Sequence, residues 1–137
     1  MDMGVVMQQV ADRLDTIPGL RVFGYPPDKP PPAPSAVVTY PGLLTFDGGY
    51  ARGMDRMDPT VVALVGKVSE RTARDRISLY CNGSGPESFK AVLEAEGWEH
   101  SAFDSLRVTQ VEFDIIAIGA VEYLSATFTL DIVGEGA

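Results

Sequence analysis

The chain has 137 residues, enough for one domain with a buried core, and its 45 % hydrophobic and 22 % charged residues are ordinary for a globular protein. Eleven basic residues against nineteen acidic ones leave a net charge of −8, a surface that repels phosphate backbones and argues against tight binding of DNA or RNA. No apolar run reaches membrane-spanning length, since the longest, Phe113 to Val121, is broken by Asp114 and Gly119, so no membrane partner is expected. The start, Met1-Asp2-Met3-Gly4, lacks the basic flank and apolar stretch of an export signal, and accumulation in the cytoplasm where it is made is expected.

Val6, Val10, Leu14 and Ile17 recur at helical spacing, with Gln8, Gln9, Asp12, Arg13 and Asp15 on the other face, and Pro18-Gly19 stops the helix. Leu20 to Tyr25 reads as a short strand. Residues 26–34 hold six prolines, which cannot donate ladder hydrogen bonds, and form a stiff connector between strands inside one domain spanning 1–137. Ser35 to Tyr40 is the next strand. Residues 41–59 mix glycines with Phe46, Tyr50, Met54 and Met57 in no regular period; this reads as a long loop with room for a short strand piece at Leu43 to Phe46. Thr60 to Val68 is nearly continuously apolar and β-branched, as a central strand is.

A helix follows, capped by Ser69 or by a Thr72–Asp75 capping box, running to Cys81 and ended by Asn82-Gly83 in a left-handed turn. Ser84-Gly-Pro-Glu87 opens another short helix with Phe89, Val92 and Leu93 on its apolar face and Gly97 at its end. Finally, Thr109, Val111, Phe113 and Ile115, then Leu124, Ala126, Phe128, Leu130 and Ile132, alternate with polar residues. That pattern predicts a long antiparallel hairpin with one buried face. The sum is an α+β domain, a mainly antiparallel mixed β-sheet with helices packed on one face.

Motifs that carry chemistry are scarce. The single cysteine, Cys81, has no partner for an internal disulfide and fits a packed thiol; the single histidine, His100, has no neighbouring metal ligand and fits a solvated loop. Glu112 and Asp114 share one strand face, a spacing that suits an acid–base pair and equally suits the wet side of any amphipathic strand. No catalytic residue, cofactor site or metal site is expected, and the chain reads as a non-enzyme.

Several segments, taken in order, resemble the tail terminator (tail-completion) proteins of siphophages that infect actinobacteria. They are residues 10–22 (VADRLDTIPGLRV), Tyr25-Pro-Pro, residues 50–57 (YARGMDRM), residues 65–76 (VGKVSERTARDR) and residues 119–129 (GAVEYLSATFT). The resemblance covers nearly the whole chain and rests on the combination. It implies a tail-terminator-like subunit that forms a homo-oligomeric ring, a hexamer in the family, on the last ring of major tail tube protein. Such a ring stops tube polymerisation and offers a docking surface to a head-completion or stopper protein. It implies a place at the tail–neck junction of the virion, DNA passing through without specific binding, and no cofactor. A stopper or another minor tail protein of the same virion is the alternative.

A ring needs head-to-tail contacts between unlike patches. The stretch holding Tyr40, Phe46, Tyr50, Arg52, Met54, Arg56 and Met57 suits such a contact. Methionines adapt, aromatics supply area, and Arg52 and Arg56 can pair with a neighbour's acids. Glu112 and Asp114 are the candidate lumen-facing carboxylates. Two readings of other classes remain: a small hydrolase built on those carboxylates, and a peptide-binding module on the same sheet.

Overall fold

The structure, a computed structural model, describes residues 2–24, 34–46, 54–95, 103–118 and 120–135. The first helix, α1 (Met3–Leu14), buries Val6, Met7, Val10, Ala11 and Leu14, the face that the spacing predicts. Asp2 caps it by accepting the Val5 N–H at 3.2 Å, satisfying one of the free donors of the first turn. Gly19, at φ +76°, turns the chain out of the helix, and Ile17 is buried just before it. Strand β1 (Arg21–Phe23) is shorter than the expected Leu20 to Tyr25. The proline connector at 26–34 lies, but for Pro34, outside the described residues.

Among the described residues, seven strands form one sheet. After β1 come β2 (Ser35–Val38), β3 (Leu44–Thr45), β4 (Met54–Met57), β5 (Thr60–Lys67), β6 (Ser105–Ile118) and β7 (Val121–Glu135). Their order is β1-β2-β5-β7-β4-β3, with β6 along the opposite flank of β7. Among these strands β1 and β2 run parallel, and the other pairings between described residues are antiparallel. Strand β5 is interior, as its apolar run predicts, and β7 is the spine: Ile132 is flanked by Met57 on one side and Leu106 on the other.

The expected loop at 41–59 is thus partly sheet. Strand β3 falls within the short piece anticipated at Leu43 to Phe46, whereas β4 is a correction. Four residues, Met-Asp-Arg-Met, carry too little alternation to announce a strand; pairing with Leu44 and Thr45 on one side and the end of β7 on the other creates it. Asp58 braces the corner, its carboxylate accepting the Leu43 N–H at 3.1 Å.

The helices α1, α2 (Arg71–Tyr80) and α3 (Phe89–Glu94) pack against the sheet. Helix α2 comes so close over β5 that a Cβ on Gly66 would lie 2.9 Å from the Ala73 Cβ. Its capping differs from expectation: Glu70 is the cap residue and makes no side-chain capping hydrogen bond, and neither Ser69 nor Thr72 of the expected box holds the cap position. The helix leaves through Cys81 at φ −96°, and the positive φ expected at Gly83 occurs at Gly85. Helix α3 begins at Phe89, later than Ser84-Gly-Pro-Glu87 predicts. There Ser88 is the cap, accepting the Ala91 N–H at 3.1 Å and donating to the Asn82 carbonyl. Phe89 stacks on Phe128 of β7, ring centres 4.6 Å apart, and tilts against Tyr80 of α2 at 5.0 Å. This aromatic trio ties α2 and α3 to the spine of the sheet.

The hairpin of β6 and β7 is the long one expected, but its two strands are not buried alike. On β7, Ala126, Phe128, Leu130 and Ile132 are all within the core. On β6 a bulge at Thr109 shifts the register, so Leu106 and Val108 before it, and Val111, Phe113 and Ile115 after it, share the helix side. Phe113 and Ile115 are nevertheless 63 % and 51 % exposed, which corrects the expectation of a fully buried face.

Candidate assembly surface

Strand β6 is a free edge among the described residues: it pairs with β7 and with nothing on its outer side. Its first half is held under α3. Lys90 Nζ bonds Glu94 at 2.6 Å and the Val108 carbonyl at 3.4 Å, while Glu94 Oε2 accepts the Val108 N–H at 2.9 Å. Burial opposes ionisation of Glu94, but the bonds from Lys90 and Val108 and the charges of Lys90 and Arg107 outweigh it, and its pKa falls below the ordinary glutamate value. Beyond Val111 the cover ends, because α3 lies against the first half of β6 and α2 lies over β5 and β7.

The outer half of β6 is therefore open on both faces. Phe113 and Ile115 occupy the helix side; Glu112, Asp114 and Ile116 alternate onto the opposite side, which carries no helix among the described residues (hereafter the helix-free side). Glu112 Oε1 accepts from Gln110 at 3.3 Å and Asp114 Oδ1 from the Ile115 N–H at 2.7 Å. Neither carboxylate has an ion-pair partner among the described residues. The two expected lumen-facing acids thus sit together on an exposed strand face.

A second exposed apolar group lies on the other flank of the sheet, around β3, where Tyr40, Leu43 and Phe46 are 61 %, 65 % and 71 % exposed. Of the remaining expected interface residues, Met54 is half-buried on β4, and Tyr50 and Arg52 lie outside the described residues. Two expectations need correcting. Met57 is buried in the core, since it faces inward beside Ile132. Arg56 is exposed but already pairs with Asp131 of its own β7 at 3.2 Å, so a neighbour's acid would have to compete for it. Arg56, Asp131, Leu43 and Thr129 line an open cleft of about 300 Å³.

Leu43, Phe113, Ile115 and Ile116 are exposed residues that the sequence pattern did not mark as surface. Exposure of Phe113 and Ile115 depends on where the helices stop, which alternation along one strand does not encode. Cys81 is half-buried, and burial pushes its thiol up to about 11, which keeps it protonated and unreactive at neutral pH. His100 lies outside the described residues.

Among the described residues no group of three or more metal-ligating side chains converges, and no helix is long and apolar enough to cross a membrane. No protein-family model and no curated protein sequence matches the chain.

Proposed function

We propose that this chain is a structural subunit of a phage virion, a tail terminator that closes the growing end of the tail tube as a homo-oligomeric ring. The observation that carries the reading is the open edge of β6. It is a long strand whose outer half exposes Phe113, Ile115 and Ile116 beside two carboxylates with no ion pair among the described residues. Exposed apolar strand edges invite pairing with another chain. Pairing of β6 with its own copy is disfavoured: setting Phe113 against Phe113 places Glu112 against Asp114 twice, and like charges directly opposite each other destabilise a sheet. The edge therefore calls for an unlike surface. Contacts between unlike patches generate rings when the rotation closes.

In this reading the function is mechanical and needs no catalytic group. The ring docks on the last tail tube subunits, denies the next ones a place to add, and presents its other side to a head-completion protein. The helix-free sheet face, with Glu112 and Asp114, faces the bore. Repetition of a chain of net charge −8 around an axis repels the DNA backbone, so the genome passes without sticking. The order of sequence segments described above supports the tail terminator over other ring-forming virion proteins.

Electron microscopy of particles made without this protein tests the proposal. Overlong tails lacking heads are expected. Tails of normal length joined to heads refute it, and unattached heads leaking DNA beside normal tails identify a stopper instead.

A further inference from the structure

Resting on the ring reading, we infer that the seam between subunits is a continuation of the sheet, in which β6 of one copy accepts β1 of the next, with Arg21 seated beside Asp114. Arg21, Ser35, Leu64, Ser125 and Asp114 form one row across the sheet, from the β1 edge to the β6 edge. The next row is Val22, Ala36, Ala63, Ala126 and Phe113. The two edges of a single subunit thus end, at the same level and on the same face, in opposite charges. One row further they end in two apolar side chains.

Direction agrees as well. Strand β1 follows β2, β2 opposes β5, β5 opposes β7 and β7 opposes β6, so β1 runs antiparallel to β6. Rotation about an axis along the strands keeps that relation, and the junction is an antiparallel ladder. Arg21 is exposed and makes no ion pair among the described residues. The outer side of β1 carries no strand among them. A slide of two residues, which preserves the faces, sets Arg21 beside Glu112 instead, so the charge pairing survives the neighbouring register.

The seam also supplies the cover that β6 lacks. Val22 points to the helix side and packs with the core, and α1 lies against β1. A neighbour that brings β1 to the edge brings α1 over Phe113 on the same face. The helix layer, interrupted within one subunit, becomes continuous around the ring.

The test uses the full-length chain and measures mass in solution by sedimentation velocity across a concentration series. Arg21→Glu, and separately Glu112→Arg with Asp114→Arg, are expected to raise the concentration needed for ring formation by at least roughly tenfold. Circular dichroism should be unchanged, and the combined variant should assemble again. In a Cys81→Ser background, Arg21→Cys with Asp114→Cys places paired residues within disulfide reach in an antiparallel ladder. Oxidation should then link copies into a ladder of multimers. If both charge reversals assemble as the parent does, or rings form but Arg21→Cys links copies neither with Asp114→Cys nor, for the neighbouring register, with Glu112→Cys, the β1–β6 seam is wrong and the ring reading stands. If the parent chain stays monomeric at every concentration, the ring reading itself fails, and the seam with it.

Discussion

Phe89→Ala is the substitution that most directly probes how the helix layer is held. Phe89 is fully buried, stacks on Phe128 and leans on Tyr80, so it joins three elements through one side chain. Helix α3 has six residues, too few to be helical without tertiary contacts. Truncating a buried phenylalanine to alanine costs about 3–5 kcal/mol. The upper half of that range is expected here, because aromatic pairs add about 0.5–1.5 kcal/mol beyond burial. Against a total stability of about 5–15 kcal/mol for such a domain, that is roughly a quarter or more. With a urea slope of about 1–3 kcal/mol/M, the unfolding midpoint should fall by roughly 2 M, followed by circular dichroism. Phe89→Leu keeps most of the volume and should cost about 1.5 kcal/mol or less. A midpoint that moves by less than about 0.5 M at unchanged slope would refute the claim that this ring anchors α3 to the sheet.

Gly66→Ala should destabilise by about 1–3 kcal/mol in thermal or urea unfolding, because its Cβ would stand 2.9 Å from the stiff Ala73 Cβ. An alanine there that is neutral or stabilising would mean that α2 can lift off β5 at little cost. Glu94 has a lowered pKa, so its contribution to stability is present above the ordinary glutamate value, about 4.3, and is lost as pH falls through the folded value. Glu94→Gln should therefore lower stability at pH 7 and flatten the decline on acidification, read from urea midpoints between about pH 6 and pH 3. An unchanged pH profile would remove Glu94 from the account.

How far the sequence reaches differs from element to element. The spacing of Val6, Val10 and Leu14 gives α1 and its buried face. The run from Thr60 to Val68 gives an interior strand, and the double alternation gives the hairpin. These are local signals, because one face of one element meets one core. Strand β4 was not legible, since its ladder exists only through partners far along the chain. Helix α2 starts without the box its residues advertise, because packing of Ala73 and Tyr80 fixes its position instead.

The candidate assembly surface was legible only in part. Glu112 and Asp114 stood out as acids on one strand face, and Tyr40 and Phe46 as aromatics without a period. Met57 shares that composition and went to the core, because its register beside Ile132 turned it inward.

What the sequence determined by itself was the α+β class, the identity of the main helices and strands, and the excess of negative charge. These follow from periodicity and composition, which are written along the chain. Tertiary structure alone decided that Phe113 and Ile115 are uncovered and that Arg21 and Asp114 end the same row on opposite edges. Both depend on which strands become neighbours and where the helix layer runs out, and no local pattern carries that information.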